Sequence, residues 1–222
     1  MAKHGSFLPL FLAVQGVLYA AFLGCDLLNL PAASTALKYG ALLLCLLAAL
    51  VRRARPDGPL LCCALALTAA ADLFLLVLDR SYAVGVALFC PVQILYALRL
   101  RRSWHIAPPL WPRFVFSALC LCAVATAHSL NLLTGLVCLY FPQLLCNAAE
   151  SLRIRTDRAG RRFSLGLCLF LCCDICVGLH NLFLAAPPAL PGLARTVQLA
   201  MWAFYLPSQV LIVLSADGRP DG

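Results

Sequence analysis

Charge is what this chain has least of. Only 12% of its 222 residues are Asp, Glu, Lys or Arg, and just nine are acidic. That is too little polar surface to cover a water-soluble fold of this length. Alternating strands of the outer-membrane barrel kind are missing too. So are the soluble-hydrolase signatures: there is no GxSxG elbow, no HExxH and no glycine-rich phosphate loop. The four histidines, His4, His105, His128 and His180, do not cluster along the chain. A lone CxxC at Cys173 and Cys176 has no second pair and no histidine at ligand spacing, so no metal site is expected. The remaining cysteines, of thirteen, fall in or beside apolar runs, where Cys acts as a small hydrophobe.

What is abundant is apolar length. The chain is 63% hydrophobic with a mean hydropathy of +0.92, and its runs approach the ~20 residues a bilayer-crossing helix needs. We read an all-α integral membrane protein, one domain over 1–222, with eight spans at about 7–24, 31–50, 59–78, 82–100, 110–127, 130–152, 163–185 and 194–214. The first span has little basic n-region and no clear cleavage site, so it is expected to stay in the protein. The net charge of +8 lies in clusters between spans, which reads as an orientation signal rather than nucleic-acid binding. Arg52, Arg53 and Arg55, then Arg99, Arg101, Arg102 and Arg113, then Arg153, Arg155, Arg158, Arg161 and Arg162, with Lys3 and Arg219, place 14 of the 17 basic residues on one side. Arg80 and Arg195 fall on the other. Eight spans with both termini cytoplasmic follow from the positive-inside rule, and a bacterial cytoplasmic membrane is the first expectation for location.

Three spans carry an ionisable residue in their interior: Lys38, Asp72 and Asp174. Each costs about 2.5–3.5 kcal/mol on insertion scales, so such groups face one another or a wet cavity. Helical rise puts Asp72 about 20 Å and Asp174 about 17 Å from the cytoplasmic ends of their spans, with Lys38 at a similar depth. Polar seams at offsets of three, four, seven and eleven line the spans and are expected to face inward: Gln15, Tyr19 and Asp26; Thr68, Asp72 and Asp79; Gln93 and Tyr96; Tyr140, Gln143, Asn147 and Glu150; Asp174 and Asn181; Gln198, Tyr205 and Gln209. Glu150, beside a basic loop, is expected to reach out to the interface. Pro91, Pro142 and Pro207 each sit within two residues of a seam amide, where a kink would widen a cavity. An Asp in span 3 and an Asp in span 7, each followed one span later by Tyr and Gln, suggest a parallel four-plus-four internal repeat.

The order of these residues resembles the YhhN-like lysoplasmalogenase family. The resemblance rests on Lys38, Ala71-Asp72, the run YAVGVALF with Tyr96 beyond it, Tyr140, Cys173-Asp174 with HNLF after it, and YLPSQVLIV from Tyr205. Lys38 is followed by Tyr39 where the family usually has Pro, and Gln93 stands near the usual His. The resemblance implies an eight-span hydrolase that cleaves the vinyl ether bond of lysoplasmalogens, with Asp72 and Asp174 catalytic. One aspartate acts as general acid toward the β-carbon, and the other stabilises the oxocarbenium ion and directs water. Lys38, Gln93, Tyr96, Tyr140, Asn147, Asn181, Tyr205 and Gln209 are the expected substrate-binding residues. A lysophospholipid substrate, membrane lipid and water are the expected partners, with no cofactor, metal or nucleic acid. A proton-coupled transporter would also want buried acids, a lysine and kinked helices, and a non-catalytic scaffold would keep the seams for folding.

Overall fold

A computed structural model describes residues 7–55, 57–107, 109–154, 157–185 and 190–217; Lys3, His4, Arg155 and Arg219 lie outside the described residues. Eight α-helices account for almost all of it: α1 (Phe7–Leu27), α2 (Pro31–Val51), α3 (Gly58–Asp72), α4 (Tyr82–Trp104), α5 (Trp111–Thr126), α6 (Leu132–Ser151), α7 (Arg158–Ala185) and α8 (Pro191–Leu214). A single π turn, Leu73–Val77, continues α3, and a 3-10 turn, Ser215–Asp217, ends α8. Seven helices are long and apolar enough to cross a membrane, which makes this a multi-pass membrane chain. The eighth, α5, has 16 residues, and its rise of about 24 Å falls short of a ~30 Å hydrocarbon core. The expected fifth span is thus a helix in the right place but a short one.

Proline punctuates the starts: α2, α3, α5 and α8 all carry Pro in their first two positions, where its missing N–H is no loss. Asn131 and Thr134 close a capping box at the start of α6. Pro207 inside α8 frees the Ala203 carbonyl one turn earlier, and the Tyr19 hydroxyl from α1 donates to it at 3.4 Å.

Six helices close a ring. α2 packs on α3, α3 on α4, α4 on α6, α6 on α7, α7 on α8, and α8 returns to α2. α1 lies outside against α2, with a smaller edge on α8, and α5 lies outside against α6. The α7–α8 seam is the most extensive, and Gly166 shows why. A side chain there would stand 2.8 Å from Ile212 Cγ1 and 3.0 Å from the Ser208 carbonyl, so the two backbones meet only because that carbon is absent. Outward faces keep large apolar side chains in the open, among them Val17, Phe114 and Leu132, as lipid contact requires.

One end of the ring is tied by arginine. Arg99, wholly buried, donates to Asp57 at 2.6 Å and to the Ser215 hydroxyl at 2.6 Å, joining α4 to the start of α3 and the end of α8. Trp104 donates to Asp157 at 3.2 Å, and Arg162 to the Leu214 carbonyl at 3.2 Å. Arg99, expected from the sequence to mark a loop, is therefore an interior tie. Burial of its guanidinium is tolerated because Asp57 pairs with it and the Phe163 ring stacks 4.6 Å from Cζ.

Candidate active site

Asp72 is the last residue of α3 and stands where the helix changes register. The Leu78 N–H reaches back to the Leu73 carbonyl at 2.8 Å, a five-residue bond, so the turn after Asp72 is wider than an α turn. Gly85 of α4 lets that turn fit: a side-chain carbon there would fall onto Leu75. The sequence pattern predicts one unbroken helix over this span, because nothing in an apolar Leu-Phe-Leu-Leu-Val run announces a π turn. Such single-turn π segments recur at functional sites.

The Asp72 carboxyl is buried, 6% exposed, and the Tyr205 hydroxyl of α8 donates to its Oδ2 at 2.5 Å. The charge of Asp174, on α7, acts on it from within the same interior, and the Cys173 thiol feels both carboxylates. Asp174 is partly accessible. The buried Tyr140 of α6 lies within electrostatic reach of it. The Tyr140 hydroxyl has no partner at hydrogen-bonding geometry. A train of aromatic rings joins the two tyrosines: Tyr205 meets Phe170 at 5.7 Å, Phe170 meets Phe89 at 5.7 Å, and Phe89 meets Tyr140 at 5.6 Å. The ring of helices thus runs one aromatic wall from Tyr205, which holds Asp72, to Tyr140.

Among the buried polar atoms with no protein partner are Gln93 Nε2, Tyr96 Oη, Tyr140 Oη and Gln209 Oε1. Native interiors leave few such atoms. All four belong to residues expected at the site from sequence. Asn147 adds to the group by donating to the Gln93 carbonyl at 2.9 Å and to its Oε1 at 3.0 Å. Behind it, Arg113 of α5 donates to Asn147 Oδ1 at 2.8 Å, to Gln143 Oε1 at 3.1 Å and to Glu150 at 2.6 Å. Two sequence expectations are corrected here. Glu150 is 8% exposed and does not reach the interface, because its partner Arg113, expected among the loop charges, is itself buried at 4%.

Lys38 does not face the aspartate pair. Its Nζ lies 2.8 Å from Asp26 Oδ2, and the Ser34 hydroxyl donates to the same carboxylate at 2.5 Å. Ser34 and Lys38 are four residues apart on α2, so one turn presents both to the end of α1. Lys38 also sits over the Trp202 ring, 4.4 Å from its centroid, and Trp202 meets Tyr205 edge-on at 5.6 Å. The lysine therefore adjoins the site through an aromatic side chain. Asn181 and Gln198 are exposed and do not join the inward cluster. Thr68 spends its hydroxyl on the Ala64 carbonyl at 2.9 Å, and Gln15 bridges to α2 through Ala41 at 2.8 Å and Cys45 at 3.1 Å, as helix-joining bonds.

Sequence reasoning passes over Tyr39 and Trp202. Tyr39 donates to the Ala69 carbonyl at 3.2 Å, one turn before Asp72, and lies within electrostatic reach of it. Its one signal is a hydroxyl-bearing ring next to Lys38 in an apolar span. All thirteen cysteines are free. Among the described residues, no three His, Cys, Asp or Glu side chains converge on a point that would hold a metal ion.

Comparison with known proteins gives one match. The model of the YhhN family matches residues 33–216, from the start of α2 to the 3-10 turn, and so spans the whole helical ring. The chain belongs to the YhhN family. No curated protein and no solved structure matches it.

Proposed function

We propose that this chain is an intramembrane hydrolase of the vinyl ether bond of lysoplasmalogens, with Asp72 and Asp174 as its acid/base pair. The observation that supports the reading is the buried Asp72 carboxyl held by the Tyr205 hydroxyl, with Asp174 of α7 close enough for its charge to act on it and unpartnered buried polar atoms on the neighbouring helices. Joining helices does not require carboxyls, whereas acid-catalysed vinyl ether cleavage needs a proton donor and a group to steady the cation, which two carboxyls can supply. Paired carboxyls divide such work, one donating a proton and the other remaining ionised.

One aspartic acid gives its proton to the β-carbon of the vinyl ether, and the double-bond electrons form the new C–H bond. The resulting oxocarbenium ion is stabilised by the second, ionised aspartate and by the aromatic wall of Phe89 and Phe170. Water adds to the cationic carbon as the ionised aspartate takes its proton. The hemiacetal then gives its hydroxyl proton to the first aspartate as its C–O bond to the glycerol breaks and the second aspartate protonates the leaving oxygen, which yields a fatty aldehyde and a glycerophospho-alcohol and restores both carboxyls. Tyr205 orients the Asp72 carboxyl. Gln93, Tyr96, Asn147 and Gln209 supply polar contacts for water and the glycerol end. Helix neighbours repeat with a shift of four, α1–α2 matching α5–α6 and α3–α4 matching α7–α8. This supports a four-plus-four repeat in which Asp72 and Asp174 are counterparts; the basic clusters between helices support both termini cytoplasmic.

The test is aldehyde release from a lysoplasmalogen by purified protein in detergent, with no gradient. Asp72→Asn and Asp174→Asn should each remove release while leaving the melting temperature within a few degrees of the parent. Folded parent protein that releases no aldehyde from any lysoplasmalogen would sink the proposal in favour of a carrier or scaffold.

A further inference from the structure

The end of the ring opposite the arginine ties holds a cavity of about 440 Å³ between the α1–α2 turn and the α7 and α8 ends. That volume is within the range of small-molecule sites. Its polar lining comes from Asp26, Asn29, His180, Arg195 and Gln198, and Leu30 and Leu184, both about half exposed, edge its mouth. The groups are held in place. Arg195 donates to Asn29 Oδ1 at 2.9 Å, which keeps the guanidinium at the α1–α2 turn. Asn29 has φ +55°, a left-handed conformation that asparagine tolerates better than most residues. His180 Nδ1 faces the Ala194 carbonyl at 2.9 Å, so that nitrogen carries the proton and Nε2 is left for another partner.

The charge balance of this cavity favours an anion. Asp26 is the one carboxylate in its lining, and Lys38 and Ser34 already occupy both sides of it. Arg195 at the rim and Lys38 beneath Asp26 leave one positive charge over. Below lies the route inward: Lys38 covers Trp202, Trp202 meets Tyr205, and Tyr205 donates to Asp72.

We propose that this cavity is a binding site for the phosphodiester of a lysophospholipid, with Arg195 as its principal contact, Leu30 and Leu184 as its lipid-facing mouth, and the glycerol and vinyl ether directed inward past Trp202 toward Asp72. A phosphodiester carries the single negative charge that the lining lacks, and a guanidinium binds two of its oxygens at once. The hydrocarbon mouth suits a lipid headgroup better than a free ion. The proposal deepens the hydrolase reading and rests on it for the identity of the lipid, but binding can be measured without turnover.

The probe is a saturated 1-O-alkyl lysophospholipid, which has the phosphodiester and chain but no vinyl bond, titrated into detergent-solubilised protein. Arg195 is exposed, so its variants should fold; melting temperature checks this. Arg195→Gln should raise Kd about tenfold, Arg195→Glu should raise it further, and Arg195→Lys should stay within about threefold of the parent. A monoacylglycerol of the same chain length, lacking phosphate, should bind more weakly and ignore all three changes. Unchanged affinity in Arg195→Gln and Arg195→Glu would overturn the site. Competition by inorganic phosphate as strong as that of the lysolipid would overturn its assignment to a lipid. Analogue binding through Arg195 with no aldehyde release from true substrate keeps this site and overturns the hydrolase. Aldehyde release whose KM is unmoved by Arg195→Gln does the reverse.

Discussion

Tyr205→Phe removes one oxygen and leaves the ring, so it isolates what the hydroxyl contributes. That hydroxyl donates to Asp72 Oδ2 at 2.5 Å in a pocket where Asp72 is 6% exposed. Among the described residues no other hydroxyl or amide side chain donates to that carboxyl; Tyr39 spends its own proton on the Ala69 carbonyl. A hydrogen bond to an ionised group contributes about 1.5–3 kcal/mol. At 1.36 kcal/mol per decade, losing it from the transition state lowers kcat by about 10- to 150-fold. The ring itself stays packed against Phe170 and Trp202, so KM should change little. Tyr140→Phe is the control. The Tyr140 hydroxyl makes no hydrogen bond, so its removal should cost less than about fivefold. The assay is initial-rate aldehyde release across a range of lysoplasmalogen concentrations, with melting temperatures of both variants alongside. Parent-like kcat in Tyr205→Phe, or equal losses in the two variants, would refute the claim that Tyr205 fixes a reacting carboxyl.

Two further perturbations address the frame of the site. Asp26→Asn strands the buried Lys38 ammonium over Trp202 and should destabilise by about 3–5 kcal/mol; Asp26→Asn with Lys38→Met should recover much of that loss in thermal melts, and strictly additive losses would show that the pair is not coupled. Gly85→Ala pushes a carbon into Leu75 at the π turn and should lower both melting temperature and kcat, because the displaced turn begins at Asp72; an alanine variant matching the parent in both would remove the π turn from the account.

Helix positions are legible in the sequence because a bilayer dictates them: about 20 apolar residues, bounded by Pro, Gly and Arg, leave few other readings. The aspartate pair is legible for a related reason. An acid in an apolar run is costly enough that its position along the chain is informative by itself. Which charges meet is not legible, because periodicity fixes the face of a helix and says nothing about its neighbour. Lys38 shares a depth with Asp72 and Asp174, yet it turns to Asp26, and only the packing of α1 outside the ring against α2 shows why. The same limit hides Tyr39 and the π turn. Both depend on how α2 and α4 press on α3, and neither leaves a trace in the spacing of apolar residues.

Arginine shows how one residue type carries two messages. A positive-inside count treats every Arg beside a span as an orientation signal. Arg99 and Arg113 are instead buried ties, one closing the end of the ring through Asp57 and Ser215, the other holding α5 to α6 through Glu150 and Asn147. Taking both out of the count leaves twelve of fifteen basic residues on the same side, so the asymmetry stands without them. Their burial serves the site instead. Arg113 fixes Asn147, Asn147 fixes Gln93, and Gln93 keeps an unpartnered nitrogen in the interior. A short peripheral helix is therefore connected to the interior through its first turn. That connection gives α5 a reason to keep an arginine where a lipid-facing helix would have none.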